Sequence, residues 1–126
     1  EGEKRASRAG GARVQKAIEG TKSLDLPNGT VEIIDLRTLN PLDLDTIEIS
    51  LNKTGKALVV YEDNLTNGPG AEISALIADK YFEMLDGPVR RIASKDSPVP
   101  YNWFLEEKVL PQTSDVADAI EELLEY

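Results

Sequence analysis

Carboxylates are the side chains of this sequence best suited to chemistry, and two close pairs stand out. Asp43 and Asp45 are two residues apart, and Glu62 and Asp63 directly follow an apolar run. Paired carboxylates serve general acid–base catalysis or bind hard cations such as Mg²⁺. The 126 residues contain no histidine and no cysteine, which excludes a cysteine nucleophile, a disulfide and the commonest general base. Without a nucleophile or a phosphate cradle, we predict no catalytic, cofactor-binding or metal-binding residue in this chain.

A glycine-containing turn, Gly68-Pro69-Gly70, precedes a predicted helix and has some features of a phosphate-binding loop. In the dinucleotide fingerprint a third glycine follows, but here that position is Ile73. The acidic Glu72, together with the acidic pair at 62–63, would repel phosphate. We therefore interpret Gly68, Gly70 and Glu72 as parts of a structural loop.

In doubly wound sheets ligands bind beyond the carboxyl ends of the strands, which here points to residues 35–37, 62–64 and 68–72. Asp35 and Arg37 lie two apart at one such end. They would pair with each other or with a neighbouring domain, and a local salt bridge that adds little stability is the favoured interpretation.

Acidic charge dominates the sequence beyond its first twenty residues. The whole chain carries 14 basic and 23 acidic residues. Residues 1–20 hold five of the basic and three of the acidic residues, so the remainder has nine basic and twenty acidic residues and a net charge of −11. Such a surface repels nucleic acid and attracts basic proteins. A solvated face is the default interpretation of the acidic final segment, with docking of a basic partner as the alternative; the docking candidates there are Glu121, Glu122 and Glu125.

Trp103 and Phe104 are candidates for anchoring a partner, or for packing in a core or a domain interface.

Periodicity predicts one α/β domain of three layers, with a mostly parallel sheet. Strands are predicted at residues 30–36, 57–61 and 89–93, the last at a sheet edge because two arginines lie in its middle. Helices are predicted at residues 13–26, from an N-cap at Asp43 to Gly55, after Gly70 as far as Gly87, and at 114–126. Residues 1–12 are expected to be a disordered end, a tag or a truncated element, and residues 13–126 the domain. No apolar run is long enough to cross a membrane.

Five segments in order and spacing resemble the carboxy-terminal domain of the beta subunit of thiamine-diphosphate-dependent 2-oxo acid dehydrogenases, a transketolase C-terminal-like domain. They are VEIIDLRTLNPLD (31–43), KALVVYED (56–63), NGPGAEISALIAD (67–79), PVRRIASKDSPVPY (88–101) and LEEKVLP (105–111). The resemblance covers residues 13–126, and five segments in register are more specific than any one of them.

The resemblance implies a pyruvate or branched-chain 2-oxo acid dehydrogenase in which alpha and beta subunits form a heterotetramer. The parent enzyme binds thiamine diphosphate and magnesium and transfers an acyl group to lipoamide in a multienzyme complex. The cofactor and catalytic histidines of that family lie in the alpha subunit and in the rest of the beta subunit. This domain would then be inactive alone and would serve assembly, including docking to the basic subunit-binding domain of the acyltransferase core. Its implied location is the cytoplasm, or the mitochondrial matrix in a eukaryote.

Family members open this domain with an apolar strand, whereas residues 5–11 here are RASRAGG. We expect that this stretch cannot be a core strand and that the incomplete sheet exposes edges that favour self-association. Two other possibilities stay open. One is an acidic flavodoxin-like module for protein interaction or ligand binding, which would need an occupied pocket near Gly68 and Gly70. The other is a transketolase-like or deoxyxylulose-phosphate-synthase-like parent, although the DLRTLNPLD and SPVPY segments favour the dehydrogenase.

Overall fold

The computed structural model describes residues 6–8, 12–36, 41–95 and 110–126. Its strands are β1 (Ala6–Arg8), β2 (Ile33–Asp35), β3 (Leu58–Asn64) and β4 (Arg90–Ser94). Its helices are α1 (Ala12–Ser23), α2 (Leu44–Thr54), α3 (Pro69–Lys80) and α4 (Thr113–Leu124), with a 3₁₀ turn at Phe82–Met84. The sheet has the order β2-β1-β3-β4, and all its pairs are parallel. Among the described strands β4 is therefore at an edge, as predicted.

Alternation along β3 divides the core between two faces of the sheet. Leu58 and Val60 pack in one cluster with residues of α1 and α4, while Val59 and Tyr61 pack in a second cluster with residues of α2 and α3. Successive strand residues point to opposite faces, so an apolar run is what a strand covered on both sides requires. The predicted three-layer α/β architecture is confirmed.

The prediction that residues 5–11 cannot supply a core strand is wrong. Residues 6–8 form β1, which lies between β2 and β3, with Ser7 paired to Ile34 on one side and to Val59 on the other. Parallel pairing uses backbone N–H and C=O groups, which every residue but proline offers, so a lack of apolar side chains does not prevent it. Because this strand is present, the sheet does not have the gap from which we expected exposed edges and self-association. The predicted domain boundary at residue 13 stays a prediction.

Local chemistry explains the ends of α2. Asp43 is its N-cap and accepts a hydrogen bond from the Thr46 N–H at 3.1 Å. Gly55 closes it with φ 66° in the left-handed region, where glycine meets no steric penalty, and its N–H donates to the Leu51 carbonyl. Both predicted ends of this helix are confirmed.

Two predicted boundaries shift because of tertiary contacts. β3 runs as far as Asn64, three residues beyond the predicted end of this strand, since Asn64 pairs with Ser94 and the Leu65 N–H donates to the Ser94 carbonyl. The helix after Gly68 ends at Lys80, and Met84 lies in the following 3₁₀ turn. Ile73 and Ile77 of this helix, and Tyr81 directly after it, are buried.

Candidate functional site

The carboxyl ends of β3 and β4 meet the beginning of α3, and Tyr61 lies at the centre of this junction. Its side chain is only 3% exposed, and its hydroxyl donates to the Leu65 carbonyl at 3.1 Å. Arg91, from the neighbouring strand, donates to the same carbonyl at 2.7 Å and to the Tyr61 hydroxyl at 3.3 Å. The turn that leads into α3 is thus held by two side chains of the sheet. Sequence reasoning missed this network because it joins residues 26 and 30 positions apart.

Gly68 and Gly70 lie against the Tyr61 ring. A methyl group on Gly70 would overlap the ring, and one on Gly68 would overlap both the ring and the Asn64 carbonyl oxygen. Gly68 is the N-cap of α3 and Pro69 occupies its first turn, where a missing N–H costs nothing. This geometry favours the structural interpretation of the loop, because both positions need glycine for the backbone to approach the ring so closely. Glu72 is exposed in the first turn.

The carboxylate pairs do not form a shared site. Asp43 is occupied as a cap: the Thr46 hydroxyl donates to it at 2.6 Å and, with the Thr46 N–H, holds the pKa of Asp43 below its ordinary value of 3.8. Asp63 accepts from the N–H of Asn64 at 2.7 Å. No three His, Cys, Asp or Glu side chains within the described ranges are arranged to hold a metal ion. The carboxylates of the described residues therefore offer magnesium no cluster of three ligands.

The acidic residues of α4 differ in their surroundings. Asp115 accepts from the Gln112 N–H in a capping box, and Glu122 forms an ion pair with Arg90 of β4. Glu121 and Glu125 are exposed, and neither forms an ion pair with another described residue. The three glutamate candidates are near one another in the sequence, but in the structure Arg90 neutralises one of them, Glu122.

An open groove of about 350 Å³ separates α4 from β4 and carries both signs of charge. Arg91 and Lys95 line one side, and Asp115, Asp118 and Glu122 line the other. Because the charges are mixed, the groove has no strong preference for an anion or a cation.

Some predicted site residues lie outside the described residues. These are Trp103, Phe104 and Arg37, so their proposed roles, and the pairing of Arg37 with Asp35, stay predictions. None of the helices in the described part of the chain has the length and apolar character needed to cross a bilayer.

The fold defines an α/β domain with a parallel sheet and helices on both faces. At the junction described above, a glycine-containing turn at the beginning of α3 packs against the sheet. Comparison with known proteins gives the family. The family model described as "Transketolase, C-terminal domain" matches residues 9–116. The chain belongs to this family.

Relatives and a solved structure agree with this assignment. The chain is 40% identical over 111 residues to the pyruvate dehydrogenase E1 component subunit beta of Rickettsia bellii, covering 88% of this chain and 34% of the relative. It is 45% identical over 109 residues to the same component of Cyanidium caldarium, covering 86% and 33%. A solved structure described as "Split gene transketolase, inactive beta4 tetramer" superposes with a TM-score of 0.77 at 24% identity, covering 99% of this chain and 39% of that one.

The resemblance to the carboxy-terminal domain of 2-oxo acid dehydrogenase beta subunits is confirmed by these relatives. The chain spans about a third of the length of the curated relatives it matches.

Proposed function

We propose that this chain is the carboxy-terminal domain of the beta subunit of a pyruvate dehydrogenase E1 component and that its work is assembly. The observation that carries the proposal is identity of 35–45% to such subunits over most of the chain. Those relatives favour pyruvate over a branched-chain 2-oxo acid as the substrate of the parent enzyme. The parent would work in the cytoplasm, or in the mitochondrial matrix of a eukaryote.

An assembly role agrees with the chemistry of the described residues. The chain has no histidine, Asp43 is occupied as a helix cap, and the described carboxylates form no cluster of three that could hold a metal ion. In the proposed enzyme the alpha subunit and the rest of the beta subunit hold thiamine diphosphate and magnesium. The domain contributes an α/β body with which those parts associate.

Reconstitution tests this proposal. The chain is added to an alpha subunit and the remaining two thirds of a beta subunit from one of the bacterial relatives, with cofactors present, and pyruvate-dependent reduction of an artificial acceptor is measured. We expect activity only in the mixture that contains the chain, together with co-elution of all three polypeptides. An active mixture that lacks the chain, or a chain that never co-elutes, would contradict the assembly role.

We also propose that α4 docks the basic subunit-binding domain of the acyltransferase core. Exposed Glu121 and Glu125, without ion-pair partners among the described residues, support this, because unpaired acidic groups attract a basic partner. Glu122 contributes less because Arg90 already neutralises it. Titration calorimetry with the basic domain should show weaker binding for Glu121→Gln and Glu125→Gln than for Glu122→Gln. Equal affinities for all three variants and the unmodified chain would exclude α4 as the docking surface.

The alternative, an acidic flavodoxin-like ligand-binding module, is less well supported. It needs a ligand near Gly68 and Gly70, where the close contact of both glycines with the Tyr61 ring already accounts for them as packing residues. Binding of flavin mononucleotide or another phosphate ligand by the isolated chain, detected by calorimetry, would favour it.

Self-association is part of the proposed assembly. The solved structure with the same fold is described as a tetramer of one kind of subunit.

A further inference from the structure

The sequence contains two asparagines that are directly followed by glycine, at Asn28-Gly29 and at Asn67-Gly68. Asparagine is a thermolabile residue, because its side-chain amide carbon is open to attack by the backbone nitrogen of the next residue. Glycine in the next position favours this attack, since it has no side chain to hinder the approach and its backbone rotates freely. Both asparagines are exposed, so sequence and exposure treat them alike. The surroundings of the two glycines distinguish them.

Asn28 and Gly29 are the two central residues of a tight turn. The Thr30 N–H donates to the Pro27 carbonyl at 3.1 Å and Gly29 has φ 82°, which is the geometry of a type II turn. The Gly29 N–H belongs to the peptide between the two central residues and makes no hydrogen bond with another described residue. Type I and type II turns differ mainly in the rotation of this central peptide, and glycine allows both orientations. The nitrogen of Gly29 can therefore turn toward the side chain of Asn28.

The peptide between Asn67 and Gly68 is held by packing. Gly68 is buried and is the N-cap of α3, where its carbonyl accepts the Ala71 N–H at 3.0 Å. Its backbone lies so close to its neighbours that a methyl group there would overlap the Asn64 carbonyl oxygen and the Tyr61 ring. Rotation of this peptide would require Gly68 to leave the helix cap. The same attack is therefore hindered at Asn67.

We propose that Asn28 is a site of spontaneous deamidation in the folded protein and that the packing of Gly68 protects Asn67. In the reaction the Gly29 nitrogen loses its proton to hydroxide and bonds to Cγ of Asn28, the Cγ–Nδ2 bond breaks, and ammonia leaves with a proton taken from water. Water then opens the resulting cyclic imide at one of its two carbonyls. Cleavage of the bond to Cγ gives aspartate, whereas cleavage of the bond to the main-chain carbonyl carbon gives isoaspartate. The reaction needs only water and hydroxide, so the inference is independent of the proposed function.

Isoaspartate at position 28 changes the turn that joins α1 to β2. It routes the main chain through the former side chain and so adds a methylene group to the backbone of the turn. The turn depends on the Pro27 carbonyl, which accepts both the N–H and the hydroxyl of Thr30, the hydroxyl at 2.7 Å. On either side of the turn, Leu26 and Val31 pack against the cluster that contains residues of α1, β3 and α4. The isoaspartyl protein should therefore have a lower Tm than the unmodified protein.

Incubation of the full 126-residue chain at mildly alkaline pH, followed by tryptic digestion and mass spectrometry, tests the proposal. Trypsin cleaves after lysine and arginine and so places Asn28 in the peptide 23–37 and Asn67 in the peptide 57–80. We expect aspartyl and isoaspartyl products to accumulate several-fold faster in the first peptide than in the second. In denaturant the two rates should become similar, because the protection of Asn67 comes from the fold. Isoaspartate is identified by an isoaspartyl methyltransferase, which transfers a methyl group from S-adenosylmethionine to its α-carboxylate.

Single substitutions locate the cause of the difference. Asn28→Gln should abolish most of the product, because attack on the longer glutamine side chain must form a larger ring. Asn67→Gln is the matched control and should leave the total rate nearly unchanged. Tyr61→Val removes the ring that packs on Gly68 and should raise the rate at Asn67 several-fold without changing the rate at Asn28. If Tyr61→Val does not fold, the comparison between the native and the denatured chain still decides.

Three results would overturn the proposed site. The first is an equal rate at the two asparagines of the native chain, and the second is a reaction confined to Asn67. The third is a native chain that does not react at Asn28 although its denatured form does. An isoaspartyl fraction with an unchanged Tm would refute the effect on the turn between α1 and β2.

Discussion

The backbone of Gly70 rests directly against the ring of Tyr61, so closely that a methyl group at Gly70 would occupy the position of the ring atoms. Tyr61 is the last buried residue of β3, and Gly70 lies in the first turn of α3. The contact sets how closely the helix approaches the sheet at this junction.

Gly70→Ala should therefore destabilise the protein although alanine is the better helix former. Overpacking costs about 1–3 kcal/mol, whereas replacing glycine within a helix gains at most about 1 kcal/mol, so the net effect is destabilising. Denaturant unfolding of Gly70→Ala, Tyr61→Val and the double variant measures the coupling. In the Tyr61→Val background the Gly70→Ala substitution should be neutral or stabilising. Additive effects of the two substitutions would show that the ring is not what Gly70 accommodates.

The central position of β1 predicts that Ser7→Pro is strongly destabilising. Proline removes the backbone N–H that a strand with neighbours on both sides uses for pairing, and one unsatisfied buried partner costs about 1–3 kcal/mol. Thr113→Pro is the matched control, because it lies at the first position of α4, where proline is tolerated. Thermal unfolding should show a much lower Tm for Ser7→Pro than for Thr113→Pro. Equal Tm values would argue against β1 in the sheet.

The Asp43 cap predicts a pH dependence at acid pH. Its pKa is lowered in the folded state, so its contribution to stability is fully present above the unfolded value, near 3.8, and is lost as the pH falls through the lower folded value. Asp43→Ala should lower Tm by several degrees at pH 7, and the difference from the unmodified chain should shrink below about pH 4. Asparagine is an equally good N-cap without a charge. The Tm of Asp43→Asn at pH 7 should therefore stay close to that of the unmodified chain. A difference for Asp43→Ala that is constant down to pH 2 would contradict the role of the ionised cap.

The ion pair between Arg90 and Glu122 should contribute little to stability. Both side chains are 40–50% exposed, and exposed pairs are worth about 0–1 kcal/mol. Glu122→Gln should lower the free energy of unfolding by less than about 1 kcal/mol at low salt, and the loss should diminish near 1 M salt, where screening is nearly complete. Glu121→Gln, on the same helix, is the control and should have a smaller effect. A loss for Glu122→Gln well above this range would mean that the pair is effectively buried.

The local sequence determined a large part of the fold. The apolar run of β3, the Asp43 cap and the Gly55 terminus of α2 were predicted correctly, because each depends on residues near to one another in the chain. Segment order and spacing likewise determined the family, which the comparisons confirm.

Only the tertiary structure decided three other features. Residues 6–8 form the central strand through backbone groups that do not depend on side-chain type, so hydrophobic patterning could not reveal it. The sequence could not show that Arg90 neutralises Glu122, because these residues are 32 positions apart. Nor could it show that Phe82 projects beside an alanine-lined groove, since periodicity gives the face of a helix but not the space left by the neighbouring strand. Interactions between near neighbours in the chain are encoded in local residue patterns, whereas contacts between distant residues depend on how the elements pack.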